Sequence, residues 1–322
     1  MSGEAAKLCD DFADDAWPGW ENLPAPAKSF TAELVAGLVE PLVHVMLDAD
    51  EGRADIAQVG QKLANMLSQF IALQFGPAAD QRIERIRKLA HNFGVRDWRD
   101  EHRLGQGQRI VANYVEGLLP EQPFHDVADY PWCADLASQT DSIRAELAEH
   151  RHVADWSSGE GTFGMMGAPD WRAIGLVRDG IWVAPEGHFP KTRAALNAAR
   201  GFVPDEVSFA NLPSSSKIEA HSDNMNYLLV AHLGLVVDEG RCSLKVGDAT
   251  RQWREGEFLV FDHTFLHSAT NDSDRDRFVL LCRFWHPGLS HEERFALGLL
   301  LQLIGAMRRR GTELEEERLL VE

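Results

Sequence analysis

Cysteine is scarce in this sequence, which has four among its 322 residues. Cys9, Cys133, Cys242 and Cys282 form no CxxC pair and no tightly spaced cluster, so a zinc ribbon is excluded. A chain of this length buries enough apolar surface to fold without disulfides. The cysteines therefore indicate a protein of a reducing compartment.

Basic residues are outnumbered, with 32 Lys and Arg against 50 Asp and Glu and a formal charge of −18. Proteins bind nucleic acid largely through Lys and Arg that neutralise phosphates. Anionic membrane surfaces likewise attract basic segments. The composition thus disfavours nucleic acid and membrane as partners, and we expect a small-molecule or peptide substrate.

Long apolar runs are also missing. The longest lies near residues 297–307 and is interrupted by Gln302, whereas a membrane-spanning helix needs about 20 apolar residues. The first residues are acidic and lack the basic and then apolar pattern of a signal peptide. These features favour a cytoplasmic protein.

Helical periodicity is present in the first third of the chain. Leu63, Met66, Phe70 and Leu73 recur at helical spacing, and Ser29 or Thr31 is a candidate N-cap for an earlier helix. A junction rich in proline, aromatic and acidic residues follows at 119–132. We therefore expect an N-terminal helical region over residues 1–117.

Strand patterns dominate from about residue 173 to 286, separated by Gly, Asp and Asn as in a β-barrel or sandwich. The candidate strands are Ile181–Ala184, Glu206–Leu212, Asn226–Val237, Cys242–Val246, Glu257–Phe261 and Phe278–Phe284. The Gly- and Met-rich segment Ser157–Pro169 is predicted to be a loop, either a mobile one that closes over a site or an ordinary surface connection. The β domain is expected to span residues 118–289.

A C-terminal helical tail is predicted for residues 290–322. Ser290 followed by Glu293 has the spacing of a capping box. Arg308–Arg310 are expected to lie in the last turn of this helix, where positive charge complements the helix dipole. Together with the preceding regions, the tail indicates an α+β protein.

An H-x-D motif stands in the β region, at His221 and Asp223. Residues two apart on a strand face the same side, and a later strand could bring His267 to them. Two imidazoles and one carboxylate make a facial triad that suits Fe(II) and leaves coordination positions open for other ligands. We therefore predict that His221, Asp223 and His267 bind iron.

Arg277 follows His267 by ten residues, at the start of an apolar strand. A 2-oxo acid can chelate iron and leave one position for O₂. The second carboxylate of 2-oxoglutarate must then be held inside the barrel, which a guanidinium does bidentately. Arg277 is predicted to hold it, with Arg283 on the same strand face as the second choice.

Other interpretations of these residues stay open at the level of sequence. His221 and Asp223 could be a hydrogen-bonded pair without a metal, and Arg277 could pair at the surface with Asp274 or Asp276. The corresponding rival functions are a cupin-like barrel that only binds a small molecule and a zinc- or manganese-dependent isomerase or hydrolase. A nucleic-acid demethylase would share the oxygenase chemistry, but the net charge disfavours it.

The stretch from about Phe124 to Arg294 resembles the aspartyl/asparaginyl β-hydroxylase family of Fe(II)/2-oxoglutarate dioxygenases. The matching segments are VADYPWCADL, GLVRDG, HFPKTRAAL, AHLGLVV, VGDATRQWREGEFLVFDHTFLHSATNDSDRDRFVLLCRFWHP and LSHEER. The resemblance implies a double-stranded β-helix, a jelly-roll and cupin-like core, with the N-terminal helical domain and the C-terminal helix added to it. It also implies Fe(II), 2-oxoglutarate and O₂ as cofactor and co-substrates.

By this resemblance, His221 and His267 are iron ligands, Arg277 holds the distal carboxylate of 2-oxoglutarate, and His232 contacts the same co-substrate. Asp223 departs from the animal enzymes of the family, which have glycine there. Leu228 and Val230 stand where the family has two arginines that serve the substrate carboxylate and the co-substrate.

Arg178, in GLVRDG, and Asn226 are candidate substrate contacts, and His263 is expected either behind the metal ligands or at the surface. The expected reaction is hydroxylation of an unactivated C–H of an amino-acid side chain, Asp- or Asn-like, free or in a peptide or peptide-like metabolite. Decarboxylation of 2-oxoglutarate to succinate accompanies it. The helical region is expected to pack on the barrel and to support a homodimer.

Overall fold

The computed structural model describes residues 19–22, 39–44, 57–92, 114–152, 157–158, 171–223 and 225–319. The chain divides into two compact units. The first comprises Met1–Leu23, His102–Ile110 and Leu118–Gly288, and the second comprises Pro24–Glu101, Val111–Gly117 and Leu289–Glu322. The predicted N-caps at Ser29 or Thr31 and residues 159–169 of the predicted loop lie outside the described residues.

The first unit contains the strands, all paired antiparallel. In chain order they are β1 (Phe124–His125), β2 (Ser157–Ser158), β3 (Arg172–Arg178), β4 (Ile181–Trp182), β5 (Pro204–Leu212), β6 (Ser216–His221), β7 (Leu228–Val236), β8 (Cys242–Val246), β9 (Ala249–Gln252), β10 (Phe258–Phe261), β11 (His267–Asn271) and β12 (Arg277–Trp285). The described helices are α1 (Ala57–Phe75), α2 (Glu84–His91), α3 (Pro131–Ala137), α4 (Thr140–His150), α5 (Pro190–Ala198) and α6 (His291–Leu319).

The strands form two sheets. The larger has the order β1-β10-β7-β12-β5-β3-β2, with β4 paired to β3, and the smaller has the order β6-β11-β8-β9. Strands adjacent in the larger sheet come from distant parts of the chain, as in jelly-roll folds. The predicted α+β fold with a double-stranded β-helix core is confirmed.

Alternation along the strands separates two apolar layers. On β12, Phe278, Leu280, Cys282 and Phe284 join the cluster that includes residues of α3, α4 and α5. The intervening residues Val279 and Leu281 join a second cluster with Leu244 and Ala269 of the smaller sheet. Because successive side chains of a strand point to opposite faces, the same strands build both the helix-facing layer and the barrel interior.

The smaller sheet pairs the two predicted histidine ligands. His267, the first residue of β11, is in register with His221, the last residue of β6. The register shifts between His267 and Ala269. Such irregularities re-aim a side chain near functional sites, and here the shift follows directly on His267.

Helix α5 of the first unit is tied to α4 by Glu146. This buried carboxylate accepts hydrogen bonds from the backbone N–H groups of Lys191 and Thr192 and from Thr192 Oγ1, each at 2.7 Å. Glu146 therefore satisfies N–H groups that the first turn of α5 leaves without intrahelical partners.

The second unit contains α1, α2 and α6. Helix α6 begins with the predicted capping box, because Ser290 N donates to Glu293 Oε2 at 2.9 Å and Glu293 N donates to Ser290 Oγ at 3.2 Å. Arg85 of α2 binds both oxygens of Glu293, at 2.8 and 2.7 Å. No helix in the described part of the chain is long and apolar enough to cross a membrane.

Candidate active site

A pocket opens into the barrel interior between the two sheets. It comprises about 600 Å³ of space between the side chains, part of which is open to solvent. Its charged and imidazole-bearing side chains are His221, Asp223, His232, His263, His267, Arg277 and Arg283, and most of the remaining wall is apolar: Trp171, Ala210, Ile218, Val230, Leu244, Trp253, Phe261, Ala269 and Leu281.

His221 and His267 lie side by side in this pocket, with ring centroids 4.2 Å apart. The Nδ1 of His221 bonds to the carbonyl oxygen of Glu219 at 2.8 Å, and the Nδ1 of His267 bonds to that of Phe265 at 2.9 Å. A carbonyl only accepts, so each Nδ1 carries the proton and each Nε2 keeps a lone pair. Metal-binding histidines are oriented by this kind of bond.

Burial lowers the pKa of His267 to about 4, and the neighbouring His221 adds to the effect. The imidazole of His267 is therefore neutral at pH 7, which is the form that binds a metal ion.

Asp223 lines the same pocket but not as the sequence predicted. Strand β6 ends at His221, so the two residues do not share a strand face; the backbone N–H of Asp223 instead donates to the His263 carbonyl at 2.9 Å. The Oδ2 of Asp223 lies 2.7 Å from His263 Nδ1 and 3.2 Å from Arg283 Nη2. Burial alone would raise the pKa of Asp223, but His263 and Arg283 hold it well below its usual range.

The two histidines suit a transition metal, since both present free Nε2 atoms in one pocket. Among the residues that the structure describes, no three His, Cys, Asp or Glu side chains converge as a ready metal site. The Asp223 bonds fall on Oδ2, which is turned toward His263 and Arg283. The imidazole nitrogens and the carboxylate thus fit Fe(II) by donor type. The carboxylate of Asp223 is held by His263 and Arg283.

Arg277 lies in the same pocket and is only 2% exposed. Its guanidinium stacks over Trp253 at 4.5 Å, and Nε and Nη1 have no hydrogen-bond partner within the described residues. Burial lowers the pKa of Arg277 to about 10, so it remains charged at pH 7. Buried charges are normally paired, which means that Arg277 is suited to an anionic ligand.

His232 lies beside Arg277 and stacks on Trp253 with centroids 5.9 Å apart. Both of its ring nitrogens are buried without a partner in the described part of the chain. Burial lowers the pKa of His232 well below its usual value, and Arg277 adds to the effect. A neutral imidazole can donate one hydrogen bond and accept another. His232 and Arg277 together therefore offer an anionic ligand a positive charge and directed hydrogen bonds.

Two further interpretations of the arginines have different outcomes. Surface pairing of Arg277 with Asp274 or Asp276 is wrong, because Arg277 is buried. Arg283, the second choice for the distal carboxylate, is bonded to Asp223.

The two candidate substrate contacts do not reach the pocket. Arg178 is exposed at the end of β3, and Asn226 is buried but absent from the pocket lining. His263 is buried behind Asp223, which excludes the surface position considered for it. Its partnership with Asp223 was not predicted; the available signal was its place just after the buried strand β10.

Comparisons with known proteins match the β region. The family model described as aspartyl/asparaginyl beta-hydroxylase matches residues 137–287. An ornithine lipid ester-linked acyl 2-hydroxylase of Rhizobium tropici is 29% identical over 203 residues, covering 59% of this chain and 70% of that protein.

Two mammalian relatives match shorter parts of the chain. The aspartyl/asparaginyl beta-hydroxylase of Mus musculus is 30% identical over 34% of this chain and 15% of that protein. The human aspartate beta-hydroxylase domain-containing protein 2 is 32% identical over 41% of this chain and 37% of that protein. This chain thus spans less than half the length of these mammalian relatives. A Pseudomonas putida prolyl-4-hydroxylase structure aligns over 48% of this chain and 98% of that one, at 16% identity and a TM-score of 0.32.

Proposed function

We propose that this protein is an Fe(II)- and 2-oxoglutarate-dependent hydroxylase, because residues 137–287 match the family model described as aspartyl/asparaginyl beta-hydroxylase. The reaction would add one oxygen atom to an unactivated C–H bond of the substrate. Two parts of the pocket support the proposal: a buried anion site around Arg277 and a pair of histidines with free Nε2 atoms.

The observation that carries the proposal is the guanidinium of Arg277. It is 2% exposed, and its Nε and Nη1 have no partner within the described residues. An uncompensated buried cation is costly, and a bound carboxylate would remove that cost through charge-assisted hydrogen bonds. A dicarboxylate that also reaches the histidines matches 2-oxoglutarate, whose 2-oxo acid end would lie toward His221 and His267.

Fe(II) would be held by His221 and His267, with Asp223 as the carboxylate of the triad. When bound, the metal supplies the oxidation, in which O₂ and 2-oxoglutarate yield succinate and CO₂ and one oxygen atom enters the substrate. The chain's own residues orient the two imidazoles and limit the access of water. The carbonyls of Glu219 and Phe265 fix the two imidazole orientations, and the apolar wall disfavours water in the enclosed part of the pocket.

The substrate expected from the sequence is an amino-acid side chain, Asp- or Asn-like, free or in a peptide or peptide-like metabolite. A fatty acyl chain on an amino-acid-containing lipid is the second candidate, suggested by the name of the Rhizobium relative. The pocket wall favours it: Val230, where the family has an arginine, lines the pocket. The described lining contains two guanidiniums, Arg277 and Arg283, and the second is bonded to Asp223.

Succinate release tests the reaction. Purified protein supplied with Fe(II), 2-oxoglutarate and O₂ should form succinate, and His221→Ala should abolish it. Arg275→Ala is the matched control, because Arg275 is exposed and ion-paired only loosely to Asp238, at 3.8 Å. Succinate formation that survives His221→Ala would refute the proposed iron site, and a protein that forms no succinate when Fe(II), 2-oxoglutarate and O₂ are all supplied would refute the oxygenase and favour a metal-dependent isomerase or hydrolase.

Substrate identity is tested by stimulation of that release. Asp- and Asn-containing peptides and free amino acids form one panel, and acylated amino acids of increasing chain length form the other. Mass spectrometry should find a gain of one oxygen atom in the accepted substrate. Stimulation by the second panel alone would remove the amino-acid side chain as the hydroxylated group.

A further inference from the structure

His263 lies behind Asp223 and is tied to the same chain segment by three hydrogen bonds. Its Nδ1 lies 2.7 Å from Asp223 Oδ2, its Nε2 lies 3.0 Å from the Met225 carbonyl, and its own carbonyl accepts from Asp223 N at 2.9 Å. The imidazole is 1% exposed. The short segment after β6 is therefore fastened to His263 at both the side chain and the backbone.

The backbone turn that carries His263 is itself stabilised by the two neighbouring residues. Asp262 Oδ1 accepts hydrogen bonds from Thr264 N at 2.9 Å and from Thr264 Oγ1 at 2.6 Å. A side chain that bonds to the backbone two residues on stabilises a turn. His263 consequently projects from a rigid support toward Asp223.

Both partners of the His263 ring are hydrogen-bond acceptors. The Met225 carbonyl has no proton to give, and the carboxylate of Asp223 also receives a bond from Arg283 Nη2 on the same Oδ2, at 3.2 Å. The Nδ1 of His263 therefore donates to the carboxylate of Asp223. Two donors thus hold one carboxylate oxygen, and no side chain of the described residues bonds to the other oxygen, Oδ1, which is left for another partner.

We propose that His263 is a positioning residue, which together with Arg283 fixes Oδ2 of Asp223 so that Oδ1 serves as the metal ligand. The inference rests on the proposed function, since it requires a metal ion at His221 and His267. A carboxylate held in one orientation before the metal binds loses less conformational freedom on binding. Partners behind metal ligands are typically worth 10- to 100-fold in metal affinity.

Mn(II) binding, followed by electron paramagnetic resonance without 2-oxoglutarate, tests the proposal. We expect His263→Leu, which removes the imidazole that donates to Asp223, to weaken Mn(II) binding about 10- to 100-fold. His263→Gln keeps one donor and should weaken it less. His125→Gln is the matched control, because His125 is also buried but bonds only to Tyr130 among the described residues; it should leave Mn(II) affinity unchanged.

A double-mutant cycle separates positioning from general structural damage. In an Asp223→Ala background, His263→Gln and His263→Leu should cause no further loss of Mn(II) affinity, since the carboxylate they position is gone. Equal losses with and without the carboxylate would overturn the proposal, as would unchanged affinity in Asp223→Ala. His263→Gln carries the test if His263→Leu does not fold. Wild-type protein that binds no Mn(II) would instead overturn the proposed function together with this inference.

Discussion

Replacing Arg277 by methionine should stabilise the ligand-free protein and abolish its response to 2-oxoglutarate. Methionine keeps an unbranched apolar chain against Trp253 and removes the charge. Most single substitutions in a protein interior destabilise it, so a gain in stability at a buried position is a specific expectation. It follows because Nε and Nη1 of the guanidinium have no hydrogen-bond partner in the part of the chain that the structure describes.

The magnitude follows from the burial of the charge. Burial lowers the pKa of Arg277 from an ordinary 12.5 to about 10. At 1.36 kcal/mol per pKa unit, the folded state disfavours the charged form by about 3 kcal/mol. Arg277 is protonated at every pH below about 10, so this cost is fully present at pH 7. Loss of the cation–π interaction with Trp253 offsets part of the gain, and we expect a net increase of about 1–3 kcal/mol in the free energy of unfolding.

Thermal and urea unfolding, with Mn(II) in place of Fe(II), measure the stability of the ligand-free protein and its stabilisation by 2-oxoglutarate. A ligand at 100 times its Kd stabilises the native state by about 2.7 kcal/mol, and wild-type protein should show a gain of that order with 2-oxoglutarate. Arg277→Met should show less than a tenth of it at the same concentration. Arg275→Met, two residues away and exposed, should behave as wild type.

Two results would refute the reasoning. If Arg277→Met lowers stability without ligand by several kcal/mol, the guanidinium has a favourable partner in the folded protein. If 2-oxoglutarate stabilises Arg277→Met as much as wild type, the distal carboxylate is held elsewhere.

Three further predictions concern residues outside the pocket. Burial lowers the pKa of His125 from the ordinary 6.5 to about 4. The contribution of His125 to stability is therefore complete above about pH 6.5 and is lost as pH falls toward 4. His125→Gln should flatten that part of the pH profile of the free energy of unfolding by up to about 3 kcal/mol. Glu146→Ala removes the acceptor at the start of α5 and should cost about 2–4 kcal/mol in chemical denaturation, whereas an unchanged midpoint would show that water replaces it. Gly234→Ala places a Cβ 2.1 Å from the Arg254 carbonyl oxygen, so we expect a loss of at least about 2 kcal/mol in thermal unfolding, and wild-type stability would contradict the close approach.

Strands β5, β7, β10 and β12 of the larger sheet could be predicted because they are buried on both sides, but β3 was missed although most of its residues are buried. Cys242–Val246 in the smaller sheet was also predicted with its observed bounds. The sequence pattern missed β6 and β9, however, because β6 alternates between half-buried and exposed residues and β9 is exposed throughout. Strands at the edge of a small sheet lack the hydrophobic pattern on which prediction depends.

Helix α1 shows a subtler difference. The spacing of Leu63, Met66, Phe70 and Leu73 predicted a helix correctly, yet Leu73 is 82% exposed. The buried face instead contains Leu63, Leu67 and Ile71. Apolar residues on two adjacent stripes of a helix fix its period but leave its rotation undetermined, which only the neighbouring elements decide.

The site residues divide in the same way. Spacing and residue type were enough to select His221, His267 and Arg277 as candidates, because residues on different strands of one barrel can meet in its interior. The role of His263 could not be predicted, because its contact with Asp223 joins residues 40 positions apart through a turn rather than a strand pair. Hydrogen bonds made by irregular segments leave no periodic trace in the sequence.

The alternation on β12 restricts how this strand can change in evolution. Arg277 and Arg283 line the pocket, whereas Phe278 and Cys282 join the layer that packs against the helices. Inserting or deleting one residue within the strand would exchange the two sets beyond that point, placing a charged side chain among the helices and an aromatic one in the pocket. Variation in length should therefore collect in the loops that flank β12, while the strand itself accumulates substitutions only.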